Sequence, residues 1–173
     1  MSYNIYKCKN GCCDIHVNEA KQSSTTFYLK NKKKAGAFIF DPINKKILLV
    51  QSRGLYWGSP KGSIEKDETT QNCAIREVKE ETGIEIKVEN FLRAVTLYKR
   101  ATYYYIEMKS SDVVLQNQDG NDANGIGWIN VECLKDLVLS GNITINNNTR
   151  ILIKKFLNFT ISGNTFTKTK YNN

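Results

Sequence analysis

An α/β fold of the α+β kind, a sandwich of sheet and helices, is the class this sequence predicts, and three observations carry it. Short apolar, β-branched segments come first, then one amphipathic helical stretch, then more strand-like segments, then helical ones. The chain has 173 residues, enough for one ordinary domain with a full core. Hydrophobic residues make up 40% and charged residues 24%, the balance of a globular protein. No apolar run approaches the ~18–20 residues of a membrane span, so no membrane partner is expected.

The elements follow in order. Residues 1–34 are expected to be an extension with one strand, Thr26–Leu29. Ala37–Phe40 and Ile47–Val50 are two apolar runs around Asp41-Pro42-Ile43-Asn44, which has turn chemistry, and predict a hairpin. Residues 52–68 hold Gly, Pro and Ser punctuation and read mainly as loop. Thr69–Thr82 reads as a helix with Gly83 as its stop. Ile84–Val88, Ala94–Tyr98 and Tyr103–Met108 read as strands. Gln116–Gly127 reads as a loop, Trp128-Ile129 as a short strand, and Val131–Leu139 and Arg150–Phe159 as helices. The expected organisation is an extension over 1–34, a folded domain over 35–160 and a basic polar tail over 161–173.

Charge and cysteine usage narrow the class. Lys and Arg number 25 against 17 Asp and Glu, and this net +8 suits a polyanionic partner. The start, MSYNIYKCKN, carries no apolar leader, so the five cysteines predict reduced thiols in a cytoplasmic protein. Cys8, Cys12, Cys13 and His16 are all of zinc-ligand type. Their spacing is not that of a standard finger, and adjacent ligand cysteines are sterically awkward. The sequence therefore favours small reduced packing cysteines over zinc.

The informative segment is 62–84. Glu77, Glu80 and Glu81 stand at i, i+3 and i+4, on one face of the helix. Such like charges repel by a few tenths of a kcal/mol per pair. Glu80 and Glu81 also lie in the last turn, where the macrodipole disfavours anions by roughly 0.3–1 kcal/mol. A divalent cation reverses both penalties, since Mg2+ takes carboxylate oxygens, waters and substrate phosphates.

Gly62, Glu68, Arg76, Glu77, Val78, Glu80, Glu81, Gly83 and Ile84 meet every specified position of Gly-x5-Glu-x7-Arg-Glu-U-x-Glu-Glu-x-Gly-U, with U aliphatic. This is the Nudix box, and the chain resembles Nudix hydrolases over about residues 35–160. The resemblance implies a mixed sheet sandwiched between helices and hydrolysis of a nucleoside diphosphate linked to another moiety. It implies that Glu77, Glu80, Glu81 and the backbone carbonyl of Lys61 bind Mg2+ or Mn2+. It also implies that Arg76 pairs with Glu68 and orients the helix, between Gly62 and Gly83.

Residues outside the box bear on the substrate. Trp57-Gly58-Ser59-Pro60-Lys61-Gly62 is similar to the eukaryotic mRNA decapping enzymes and their viral counterparts, and a Pro-Lys-Gly element also resembles diadenosine polyphosphate hydrolases. Trp57 is read equally as a substrate contact or as a core aromatic. Decapping enzymes place an acidic residue, usually Glu, six positions before a Trp. Asp122 has that offset from Trp128 and is the expected third catalytic group beside Glu80 and Glu81, with Asp119 and Glu132 as alternatives. Lys61, Tyr103 and Tyr105 are expected substrate contacts, a tyrosine stacking on a base or on the cap. Lys32–Lys34, Lys99-Arg100, Lys154-Lys155, Lys168 and Lys170 are expected to follow RNA phosphates. Capped RNA is thus the expected substrate. Diadenosine or diphosphoinositol polyphosphates are the first alternative, and a catalytically silent RNA-binding module is the second.

Overall fold

The computed structural model describes residues 4–6, 8–17, 32–52, 56–113 and 123–161. The expected strand Thr26–Leu29, the lysines at 168 and 170, Asp119 and Asp122 lie outside the described residues. The described strands are β1 (Asn4–Tyr6), β2 (Asp14–Val17), β3 (Lys34–Asp41), β4 (Lys46–Ser52), β5 (Tyr56–Gly58), β6 (Lys61–Ser63), β7 (Arg93–Leu97), β8 (Ala101–Glu107) and β9 (Ala123–Asn130). The helices are α1 (Thr70–Thr82), α2 (Val131–Leu139) and α3 (Asn147–Leu157).

One mixed sheet runs in the order β1-β2-β9-β4-β3-β8-β7, with β5 on β4 and β6 on β3. The pair β3–β8 is parallel and the others are antiparallel. Side chains alternate strictly between its two faces. Phe38, Ile47, Leu49, Tyr103, Tyr105 and Ile129 face α2 and α3. Ala37, Ile39, Leu48, Val50, Ile106, Ile126 and Trp128 face the layer that contains Val78 of α1. The sheet is therefore covered on both sides, the expected sandwich. Small residues let α1 approach closely, Cys73 and Ala74 packing against Ala35 and Tyr104.

The hairpin β3–β4 forms as expected, but only Phe40↔Ile47 and Asp41↔Lys46 pair directly. Beyond them the arms part. Segment 56–63 fills the gap, β5 pairing with the end of β4 and β6 with the start of β3. The stretch expected to be loop is therefore built into the sheet. Trp57 and Asn146 bind it to the entry of α3, since Trp57 N–H donates to Thr144 O (2.8 Å) and Asn146 N–H to Trp57 O (3.0 Å).

Two further expectations are corrected. Ile84–Val88 is not a strand: Ile84 and Ile86 are buried, but Thr82 Oγ1 accepts the Ile84 N–H and Asn90 Oδ1 accepts the Lys87 N–H. These side chains take backbone donors that a ladder would need. The loop expected over Gln116–Gly127 is strand from Ala123 onward. Gly125 and Gly127 are there for space, not for a turn. A Cβ on Gly127 would come within 2.8 Å of Asp14 O on neighbouring β2. At the N-terminus, β1 and β2 extend the sheet beyond β9, with Asp14↔Trp128 to Val17↔Gly125 in register. Ile161 is buried, and its carbonyl accepts from Arg150 (3.0 Å).

The hairpin turn rests on Asp41, which is fully buried. Its carboxylate accepts from Ile43 N–H (2.9 Å), Asn44 N–H (3.0 Å), Asn44 Nδ2 (2.8 Å) and, across the fold, Ser110 N–H (2.8 Å). Burial alone would raise its pKa, but the bonds from Asn44 and Ser110 outweigh it and hold the carboxyl well below the usual range. Asp41→Ala is expected to cost about 3 kcal/mol in urea unfolding at pH 7. A depressed carboxyl contributes stability above its unfolded pKa, 3.8, and loses it as pH falls toward the folded value. The wild-type advantage should therefore shrink below about pH 4; a gap constant from pH 7 to 2 would refute the assignment.

Candidate active site

Helix α1 is fixed at both ends by its own sequence. Thr69 caps it, Oγ1 accepting from Asn72 N–H at 3.1 Å, and Gly83 closes it at φ 75°, its N–H donating to Lys79 O at 2.8 Å. Cys73, Ala74, Val78 and Thr82 face the sheet. The helical period therefore directs the glutamates toward β6 and the turn that follows it.

Arg76 is the hub. Nε and Nη2 hold the two oxygens of Glu68 at 2.8 and 2.9 Å, a bidentate pair, and Nη2 also donates to Ser63 O at 3.1 Å. Nη1 reaches Glu77 Oε1 at 2.8 Å and Glu80 Oε2 at 3.0 Å. The hydrogen bonds from Arg76 draw the Glu68 carboxyl down to about 2. Burial raises that of Glu77. Glu81 turns the other way and accepts Lys61 N–H at 2.8 Å. Burial pushes its carboxyl up to about 7, against the opposing charges of Lys61 and Lys34.

Glu68, Glu77 and Glu80 thus share one guanidinium, and Glu81 is held by the Lys61 main chain. Gly62 has no side chain where one would collide with the Glu77 carboxylate, so main chain and carboxylate are packed directly together. This all-oxygen, strongly anionic donor set fits a hard divalent cation. Arg76 keeps Glu77 and Glu80 on one side and Lys61 keeps Glu81 on the other. Among the described residues, only a group of cysteines brings three or more Cys, His, Asp or Glu ligand atoms within 4.8 Å of one another.

Other expected contacts are corrected. Tyr103 and Tyr105 are 1% and 3% exposed and leave no free face for a base. The cause is the second helical layer: strand alternation hides Tyr104 under α1, while Phe156 of α3 covers Tyr105. The Tyr103 hydroxyl serves the fold instead, its oxygen accepting from Asn148 Nδ2 at 3.1 Å. Trp57 is also buried, a core aromatic. Glu132 opens α2, on the sheet face opposite α1. The exposed tyrosines among the described residues are Tyr56 and Tyr98, 45% and 68% exposed. Sequence reasoning missed both; for Tyr98 the signal was its place beside Lys99-Arg100.

The model of the NUDIX domain matches residues 30–146, well over half of the chain. The chain belongs to the Nudix family. It is 37% identical over 139 residues to "Putative hydrolase 111R" of Invertebrate iridescent virus 3, covering 77% of this chain and 81% of that one. It is 33% identical over 135 residues to the m7GpppN-mRNA hydrolase of Saccharomyces cerevisiae, covering 75% of this chain but only 14% of the yeast protein. In structure it is similar to an Ap4A hydrolase of C. elegans, with a TM-score of 0.53 and 22% identity over 73% of this chain and 97% of that one, a likeness of fold. The protein is accordingly a Nudix pyrophosphohydrolase. Nudix enzymes generally use divalent metals such as Mg2+ or Mn2+, in keeping with the donor set around Gly62.

Proposed function

We propose that this Nudix hydrolase removes the 5′ cap of messenger RNA, releasing methylguanosine diphosphate and RNA with a 5′ monophosphate. The observation that carries the reading is the identity to the yeast m7GpppN-mRNA hydrolase over three quarters of the chain. The distribution of charge supports it. Lys34 pairs with Ser63 of β6 and with Ala101 of β8, and its N–H donates to Arg100 O (2.8 Å). Lys32–Lys34 and Lys99-Arg100 thereby share the end of the sheet that carries Lys61–Ser63. A phosphate chain needs such a cationic approach to a carboxylate site. Exposed Tyr98, on the same turn as Lys99, offers a ring for stacking.

Glu77, Glu80, Glu81 and the Lys61 carbonyl would hold Mg2+ or Mn2+. Such ions, when bound, polarise the pyrophosphate and lower the pKa of a coordinated water. The chain's own part is positioning. Arg76 ties the 62–68 turn to α1, so the main chain at Gly62 and the glutamates keep one spacing. Lys61 N–H orients Glu81, and the Lys61 ammonium adds positive charge beside the reacting phosphates. Asp122 immediately precedes β9, whose first residue, Ala123, pairs with Ser52 at this same end of the sheet. We assign to it, with Glu80 and Glu81, the handling of the water proton.

The test uses RNA radiolabelled in its cap, with pure protein and Mg2+ or Mn2+, and chromatography of the products. Release of labelled methylguanosine diphosphate, reduced by competing uncapped RNA, is expected. No release from capped RNA, together with turnover of diadenosine or diphosphoinositol polyphosphates, would replace decapping with a small-molecule activity.

A further inference from the structure

The sequence placed Cys8, Cys12, Cys13 and His16 together and found their spacing awkward for zinc. The fold changes the membership of that group. His16 is half-buried on β2 and, by strand alternation, points to the sheet face opposite Ile15. Its place is taken by Cys133, more than a hundred residues away in the first turn of α2. The ligand atoms of Cys8, Cys12, Cys13 and Cys133 all lie within 4.8 Å of one another.

The sulfurs of Cys8, Cys12 and Cys133 stand at the spacing of one face of a metal tetrahedron, with that of Cys13 within 4.8 Å of each. Cys8 Sγ–Cys12 Sγ is 3.5 Å, Cys12 Sγ–Cys133 Sγ 3.3 Å and Cys133 Sγ–Cys8 Sγ 3.7 Å. Four thiolates at the Zn–S distance of about 2.3 Å have sulfurs about 3.8 Å apart, the edge of a regular tetrahedron. All four cysteines are free thiols, so no disulfide explains the gathering. A cluster of neutral thiols is a poor reason for it either, because S–H is only a weak donor.

The surroundings are those of a thiolate site. Gly11, at φ 65°, closes a tight turn in which its N–H donates to Cys8 O (2.9 Å), and this returns Cys12 toward Cys8. The backbone N–H groups of Cys12 and Cys13 are directed at the Cys8 sulfur, and that of Asn130 at Cys13. Asn10 Nδ2 lies 3.7 Å from Cys133 Sγ. Such donors around ligating sulfurs spread the charge of several thiolates. Cys133 also stands where the N-terminal end of a helix dipole favours the anion. Cys8, Cys13 and Cys133 are buried and Cys12 half-buried, which leaves a closed site with no open position for a substrate. It lies against α2, on the face of the sheet away from the glutamates of α1.

We propose that Cys8, Cys12, Cys13 and Cys133 bind one structural zinc ion, which fastens the N-terminal strands β1 and β2 to α2. The need is plain from the fold. β1 and β2 are three and four residues long and occupy one edge of the sheet. Strands so short add little stability of their own. A tetrahedral S4 set selects zinc or iron–sulfur chemistry over the hard ions that suit the glutamates.

The test is elemental analysis of the full chain, purified under reducing conditions without chelator. The expected result is about one zinc per chain. Substitution with Co2+ should give the thiolate charge-transfer and tetrahedral d–d bands of an S4 site. Cys133→Ser and Cys12→Ser should lose the zinc and the bands, whereas His16→Ala, Cys73→Ala and Glu81→Gln should keep both. The wild-type measurements stand even if a cysteine variant fails to fold. No bound zinc after reconstitution, iron with acid-labile sulfide in its place, or loss of zinc in His16→Ala with retention in Cys133→Ser would each overturn the proposal.

Discussion

Glu81→Gln is expected to lower the turnover of capped RNA on the order of 10³-fold, because a metal centre supplies several kcal/mol of transition-state stabilisation. The substitution is nearly isosteric. A glutamine oxygen can still accept the Lys61 N–H that Glu81 holds at 2.8 Å, so the 61–63 strand and α1 should keep their positions. What disappears is the negative charge. Retained folding and RNA binding with lost turnover separates a chemical role from a scaffolding one; wild-type rates would sink the assignment of Glu81.

The same variant carries a pH signature in chelated, metal-free buffer. Burial raises the Glu81 carboxyl from 4.5 to about 7. A raised carboxyl favours the folded state while it is protonated, and that advantage is lost as pH climbs from the unfolded value through the folded one. Wild-type stability relative to Glu81→Gln should therefore decline between about pH 4.5 and 7 and flatten above. Urea midpoints of the two proteins across that range measure it directly, and parallel curves would place Glu81 in a wetter setting.

Arg76→Ala is expected to be the most damaging single change to the fold around the site, at about 3 kcal/mol, because removing one partner strands the others as half-buried charges. Glu68 and Glu77 are both largely covered, and each depends on the guanidinium. The Ser63 carbonyl loses a donor as well. Arg76→Lys should recover only part of the loss, since an ammonium cannot reproduce the two-pronged contact with Glu68. Denaturant unfolding reads the stability. NMR titration of the Glu68 carboxyl should show it rising from about 2 toward ordinary glutamate values in the variants. An unfolding midpoint equal to the wild type in Arg76→Ala would mean that the 62–68 turn is held by something else.

Helix α1 and its glutamates were legible in the sequence because everything that defines them is local. A Thr cap, a Gly stop and carboxylates at i, i+3 and i+4 are set by backbone geometry within 15 residues, from Thr69 to Gly83. The sandwich was legible for a similar reason: period-2 and helical patterns identify strands and helices before their partners are known. Helix α2 begins and ends where its apolar pattern predicts.

Only tertiary contact decided the rest. Tyr103 and Tyr105 resemble a stacking surface in sequence, yet helices cover both faces of their strand. Gly125 and Gly127 resemble a loop, yet they make room for the strand and side chains beside β9. Segment 56–63 has loop composition, yet it fills a gap opened by two separating strands. The cysteine group shows the difference most sharply. Three members lie within six residues of one another, while the fourth arrives from Cys133 and displaces His16. Local spacing can specify what a helix turns toward one side. It cannot specify which distant segment the packed sheet carries to the same point, because that depends on strand order and on which face each element covers.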